Sequence, residues 1–103
     1  MVKIKITYHN NEYKSIELTG HALAGEYGQD LVCAAISGII NGALNAFDQK
    51  FENDIEIIVD DNWIELKLKN SNQQIQTMFE MLKIQLATII AQYPKNVELK
   101  EVR

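Results

Sequence analysis

Residues 2–20, VKIKITYHNNEYKSIELTG, hold two runs of alternating apolar and polar side chains on either side of a polar tetrapeptide, and this pattern decides the fold class. Val2, Ile4, Ile6 and Tyr8 alternate with Lys3, Lys5 and Thr7, the period of two expected of a strand with one wet face. His9-Asn10-Asn11-Glu12 reads as a turn. Ile16 and Leu18 then alternate with Ser15, Glu17 and Thr19, so a second strand pairs back on the first and stops at Gly20. A hairpin with one apolar face needs cover, and the rest of the chain must supply it.

Gly20 to Gln29 contains three of the five glycines and reads as a loop. Asp30 is placed to cap a helix beginning at Leu31 and running to about Asp48, because its carboxylate accepts N–H groups of the first turn. At 100° per residue, Val32, Ile36, Ile39, Ala43 and Phe47 form one apolar stripe, flanked by Ile40 and Leu44. Ala34, Gly38, Asn41, Gly42 and Asn45 occupy the opposite side. An interior glycine costs about 1 kcal/mol against alanine, so Gly38 and Gly42 predict a neighbouring backbone packed close to that side.

Ile55, Ile57 and Val59 alternate with Glu56 and Ile58. Asp60-Asp61-Asn62 then turns the chain into Ile64, Leu66 and Leu68, alternating with Glu65, Lys67 and Lys69, a second hairpin. Ser71-Asn72-Gln73-Gln74 matches a capping box with Ser71 and Gln74 as its partners. The helix that follows carries Ile75, Met78, Phe79, Leu82, Leu86, Ile89, Ile90 and Tyr93 on one face and ends at Pro94. Its back also holds Met81, Ile84, Ala87 and Ala91, apolar surface for the first helix or another subunit to cover. Val97 and Leu99 mark a last short strand. The expectation is an α+β fold of order β-β-α-β-β-α-β, a mostly antiparallel sheet with two helices packed on one face, as a single domain over residues 1–103.

The chain has 103 residues, 47% hydrophobic and 23% charged, which suits one globular domain, and its single cysteine excludes an internal disulfide. Its net charge of −4 comes with no basic block, which argues against direct nucleic-acid binding. No uninterrupted apolar run approaches the roughly 20 residues that span a bilayer, and the alternating N-terminus lacks a signal-peptide core. These features predict a cytoplasmic protein with no membrane partner.

Chemistry concentrates between Gly20 and Ser37. The only cysteine, Cys33, lies three residues past the expected helix cap, and His21 stands at the end of a strand with the loop between them. A cysteine in a first helical turn feels the positive end of the macrodipole, which favours the nucleophilic thiolate. The negative charge of Asp30 opposes this, and a histidinium partner offsets it. The plainer alternatives are that Cys33 packs in the core, that His21 is an exposed loop residue, and that Asp30 is only a cap. Ser37 lies one turn after Cys33 and either lines the same pocket or returns its hydroxyl to the carbonyl four residues back. A zinc site from His21, Cys33, Asp30 and His9 lacks the paired spacing of such sites, so neither metal nor cofactor is expected.

Gly20-His21-Ala22 followed by Gly28-Gln29-Asp30-Leu31-Val32-Cys33-Ala34-Ala35-Ile36-Ser37 closely resembles the signature of the ribosomal-processing cysteine protease family, Prp. Chain length and element order resemble that family over essentially the whole sequence, with Leu31 standing where the family more often has isoleucine. The resemblance implies that Cys33 is the nucleophile and His21 the general base. It implies as substrate a large-subunit ribosomal protein precursor with a short N-terminal extension, and it implies a homodimer. On this reading the loop bearing Gly20, Ala22, Gly25 and Gly28 admits the substrate peptide, and N–H groups near Cys33 receive the oxyanion. The alternative from another class is a non-catalytic ribosome-associated assembly or binding domain in which Cys33 merely packs.

Overall fold

The structure, a computed structural model, describes residues 1–20 and 27–103, residues 27–30 by their backbone alone. Strands β1 (Val2–His9) and β2 (Glu12–Thr19) form the first hairpin, turning through Asn10 and Asn11, both with positive φ. Two such residues in a two-residue loop match the right-handed twist of the flanking strands. Helix α1 spans Tyr27–Phe51, and a single 3-10 turn, Glu52–Asp54, leads into β3 (Ile55–Asp60) and β4 (Trp63–Leu68). Helix α2 (Gln73–Gln92) and strand β5 (Val97–Val102) complete the order expected from the sequence.

The sheet runs β3-β4-β2-β1-β5, antiparallel except where β5 lies parallel to β1. Both helices are therefore crossovers between parallel strands. β2-α1-β3 steps over β4 in one direction, and β4-α2-β5 steps over β2 and β1 in the other. The second path starts from a strand of opposite sense and moves the opposite way, so the right-handed rule brings both helices to the same face. The inward residues of all five strands, among them Ile4, Ile6, Leu18, Leu66 and Val97, join Val32, Ile36, Ile40, Phe47, Phe79 and Leu82 in one core. At the β1–β2 turn end, Tyr8, Tyr13, Phe79 and Phe47 form a chain of ring contacts, with successive centroids 4.9, 5.5 and 5.1 Å apart.

Several boundaries differ from the sequence reading. α1 starts at Tyr27 and ends at Phe51 rather than running from Leu31 to Asp48. A capping residue marks where a helix can begin, whereas burial decides how far it extends. Phe51 continues the stripe by packing on the core, and an acidic residue such as Asp30 is also favourable inside a first turn. The stripe is turned toward Ile40 and Leu44, which are buried, and leaves Ile39 and Ala43 half-buried. α2 is capped one residue later than expected. Asn72 Oδ1 accepts from Ile75 N at 2.8 Å, while Ser71 Oγ accepts from Gln76 Nε2 at 2.9 Å.

Gly38 and Gly42 do not face a neighbouring backbone: a Cβ built on either meets nothing within 4 Å among the described residues. They line a groove of about 270 Å³ between α1 and α2, with Ile39, Met78, Met81 and Gln85. α1 is also long and apolar enough to cross a membrane, which a count of uninterrupted apolar runs overlooked. In this fold its apolar stripe lies in the core and Asn41 and Asn45 lie on the exposed side.

Candidate active site

Gly20 follows β2 directly. It is buried, and its φ of +83° lies in the left-handed region that glycine reaches without penalty. A Cβ here would overlap the Met1 carbonyl oxygen and stand 3.2 Å from the Met1 carbonyl carbon. The Gly20 N–H donates to Asn62 Oδ1 at 2.9 Å, a bond from the end of β2 to the turn before β4. From the sequence Asn62 is a turn residue and nothing more, because no local spacing signals a contact between two hairpins.

Cys33 stands in the second turn of α1, 8% exposed, within the same core cluster as Val32 and Ile36. At 100° per residue Cys33 falls about 60° from the centre of the expected Val32–Phe47 stripe, a border position between core and surface. Rotation of the buried stripe toward Ile40 and Leu44 brings its side of the helix inward. Ser37 lies one turn later on that side and is half-buried. The earlier helix start also changes the electrostatics expected of Cys33. The macrodipole effect falls off within the first turn, so it contributes less than a first-turn cysteine would receive. The N–H groups that a helix leaves unpaired belong to its first turn, ahead of Cys33, so oxyanion donors at Cys33 itself are not supplied by the helix start.

Asp30 falls inside the first turn of α1 and so is not the residue before the helix; Gly28 is within that turn too. His21, Ala22 and Gly25 lie outside the described residues.

The other histidine, His9, is exposed at the turn end of the β1–β2 hairpin, paired across the ladder with Glu12. Gly20 is at the opposite end, about 25 Å away for strands of this length. Phe47 reaches the His9 end through Phe79 and Tyr13, and about 21 Å of helix, at 1.5 Å per residue, separates Phe47 from Cys33. Cys33 and Gly20 thus share one end of the molecule and His9 occupies the other. No metal site can combine His9 with Cys33.

Two further charge clusters stand apart from Cys33. Near the His9 end, Lys83 pairs with Glu101, while Tyr8 Oη donates to Glu101 at 3.1 Å and accepts from Lys83 at 3.2 Å. The bond from Lys83 holds the Glu101 carboxyl below its usual range, and the same bond holds the Lys83 ammonium above its own. On the sheet face away from the helices, Glu17 and Glu65 are direct cross-strand neighbours. Burial first, and then the Glu17 charge, push the Glu65 carboxyl up. Both clusters belong to the scaffold.

A family model described as Cysteine protease Prp matches residues 1–98. The ribosomal processing cysteine protease Prp of Mycoplasma pneumoniae is 32% identical over 105 residues, spanning 100% of this chain and 97% of that protein. The crystal structure of an essential ribosomal processing protease Prp from Staphylococcus aureus in complex with a substrate peptide aligns with a TM-score of 0.90 at 27% identity, over 98% of this chain and 99% of that one. A second structure of that protease, with a covalently linked product peptide, aligns with a TM-score of 0.85 at 28% identity over the same shares. The match runs through both hairpins and both helices as well as the Gly20–Ser37 segment, and the chain belongs to the Prp family of ribosomal-processing cysteine proteases.

Proposed function

We propose that residues 1–103 work as a single cysteine endopeptidase domain that removes the short N-terminal extension of a large-subunit ribosomal protein precursor, with Cys33 as nucleophile and His21 as general base. The observation that carries this reading is the cysteine count. A member of a cysteine protease family with one cysteine has no other candidate for the nucleophile. Position supports His21 as the histidine, since His9 stands at the far end of the fold and Gly20, which precedes His21 in the chain, is at the near end.

In the proposed reaction His21 takes the Cys33 thiol proton as the sulfur attacks the scissile carbonyl carbon and forms the S–C bond. Collapse of the tetrahedral species breaks the C–N bond, and the imidazolium returns its proton to the leaving amine. His21 then takes a proton from water, the hydroxide attacks the thioester, and the thiol leaves with the proton regained. A covalently linked product peptide on the Staphylococcus aureus relative supports a covalent route of this kind. Gly20 and the Ala22, Gly25 and Gly28 positions line the path of the extended peptide. Asp30 and Ser37, one turn to either side of Cys33, flank the nucleophile. The net charge of −4 favours encounter with a basic precursor. Such a substrate places the enzyme in the cytoplasm, where a lone thiol stays reduced.

The protein acts as a homodimer on this reading, with the α1–α2 groove as its interface. Gly38 and Gly42, one turn apart with open space over both among the described residues, let a second helix approach closely, and Met81 beside them is 57% exposed.

Intact-mass analysis of the extended precursor after incubation with wild type, Cys33→Ala and His21→Ala proteins tests the chemistry. One new N-terminus made by wild type alone is expected. Cleavage by the Cys33→Ala protein, or none by wild type, would overturn the proposal.

A further inference from the structure

Asn62 sits in the turn between β3 and β4, and that turn does not require an asparagine. Asn10 and Asn11 adopt positive φ in the first hairpin, whereas neither Asp61 nor Asn62 does so in the second. What Asn62 does instead is extend a ladder. Backbone pairing of β2 with β4 ends at Thr19 opposite Trp63. One step beyond, where β4 has already turned away, Asn62 Oδ1 takes the place of a strand carbonyl and accepts the Gly20 N–H at 2.9 Å. Gly20 is buried while Asn62 is exposed, so loss of this side chain leaves an amide in a poorly solvated place without its partner. The opposite side of Gly20 lies against the Met1–Val2 backbone with no room for a Cβ. Gly20, the residue before His21, is therefore held from two sides.

We infer that Asn62 is a positioning residue for the proposed dyad: by fixing the Gly20 peptide it sets the approach of His21 to Cys33. It touches no reacting atom. The inference rests on the Cys33–His21 reading above. A general base must lie within hydrogen-bond reach of its proton, and a misplacement of about 1 Å costs on the order of a hundredfold in rate. Asn62 thus belongs to the enzyme's machinery although it lies on a different hairpin from the segment that resembles the family signature.

The test compares wild type, Asn62→Ala, Asn62→Asp and Cys33→Ala in steady-state cleavage of the extended precursor, with the melting temperature of each. Asn62→Ala is expected to lower kcat roughly ten- to a hundredfold with KM changed less than about threefold, as for an interaction felt in the transition state. Asn62→Asp keeps an acceptor oxygen at the same reach and is expected to recover most of that loss. The iodoacetamide rate of Cys33 at neutral pH should fall in Asn62→Ala and recover in Asn62→Asp, a readout that a folding defect alone does not reproduce. Wild-type kinetics in Asn62→Ala, a loss confined to KM, or equal losses in the alanine and aspartate variants would overturn the inference and leave the dyad standing. Cleavage by Cys33→Ala, or none by wild type, would overturn both.

Discussion

Replacing Gly20 with alanine perturbs the fold where the backbone has least freedom, and the cost can be worked from its surroundings. The left-handed conformation at φ +83° costs an L-residue about 1–2 kcal/mol. The added Cβ then overlaps the Met1 carbonyl oxygen and lies 3.4 Å from Val2 Cα, so backbone rather than a flexible side chain must yield. Rotating the Met1–Val2 peptide away would turn the Val2 N–H from the Asn96 carbonyl, to which it donates at 3.0 Å, at about 1 kcal/mol for one lost bond. Val2 is fully buried beneath it and cannot follow. Together these give about 2–3 kcal/mol, or roughly 10–20 °C in the melting temperature of a chain this size. Urea unfolding measures the first quantity and thermal unfolding the second. Cleavage assayed well below the transition should still fall, because relief of the clash displaces the peptide before His21. A Gly20→Ala protein within about 0.5 kcal/mol of wild type and equally active would refute both the strain and the anchoring, since that is the range of an inconsequential surface change.

Three other outcomes follow from the same geometry. Glu65→Gln is expected to raise stability at pH 7 by a few tenths of a kcal/mol by relieving the facing Glu17 charge. Because the folded Glu65 carboxyl sits above its ordinary value of 4.5, the ionised group subtracts from stability above the folded pKa. The advantage of glutamine should therefore vanish below about pH 4.5 in urea midpoints taken across pH, and a pH-independent gain would contradict the cause given. Asn72→Ala should cost about 1 kcal/mol as a lost N-cap, while Ser71→Ala changes little; equal effects would restore the capping box to Ser71. Gly42→Leu should keep or raise monomer stability, since nothing among the described residues lies within 4 Å of a Cβ there, yet weaken the dimer severalfold in sedimentation equilibrium. An undiminished dimer would remove the groove as its interface.

Both hairpins are legible in the sequence because a period of two appears within eight residues, although a bulge opposite Thr7 and Tyr8 shifts the first ladder and buries Ser15 beside Ile16. Ile4, Ile16 and Leu66, for instance, all face the core as their alternation predicts. Helix ends are less so. Asp30 and Ser71 each satisfy a local capping rule, but Phe51 extends α1 through burial, and Gln76 is engaged with both the Tyr13 backbone and Ser71, leaving Asn72 as the cap. The parallel partnership of β5 with β1 joins opposite ends of the chain and leaves no local mark. At the site, Cys33 is legible because it is the only cysteine and stands in a long pattern. Its depth was not, since a rotation of the apolar stripe by less than one residue's angular step separates border from core. Asn62 was invisible for a different reason: the bond it accepts crosses between hairpins.

Burial of Cys33 joins two readings that the sequence set against each other. A thiol in its neutral form packs as a small hydrophobe, so it can contribute to the core between reactive events, where a serine hydroxyl would demand a partner. The same position fixes the sulfur: α1 is held along its length from Val32 to Phe47 by core contacts, leaving the proposed nucleophile little freedom to seek a base. Alignment must then come from the other partner. His21 follows a glycine that has no room for a Cβ on one side and donates its N–H to Asn62 Oδ1 on the other, so both halves of the proposed dyad are referenced to the same sheet through separate contacts. In that arrangement the precision of the chemistry depends on Gly20 and Asn62 as much as on the residues that exchange the proton, and a change at either should reach turnover without touching the sulfur.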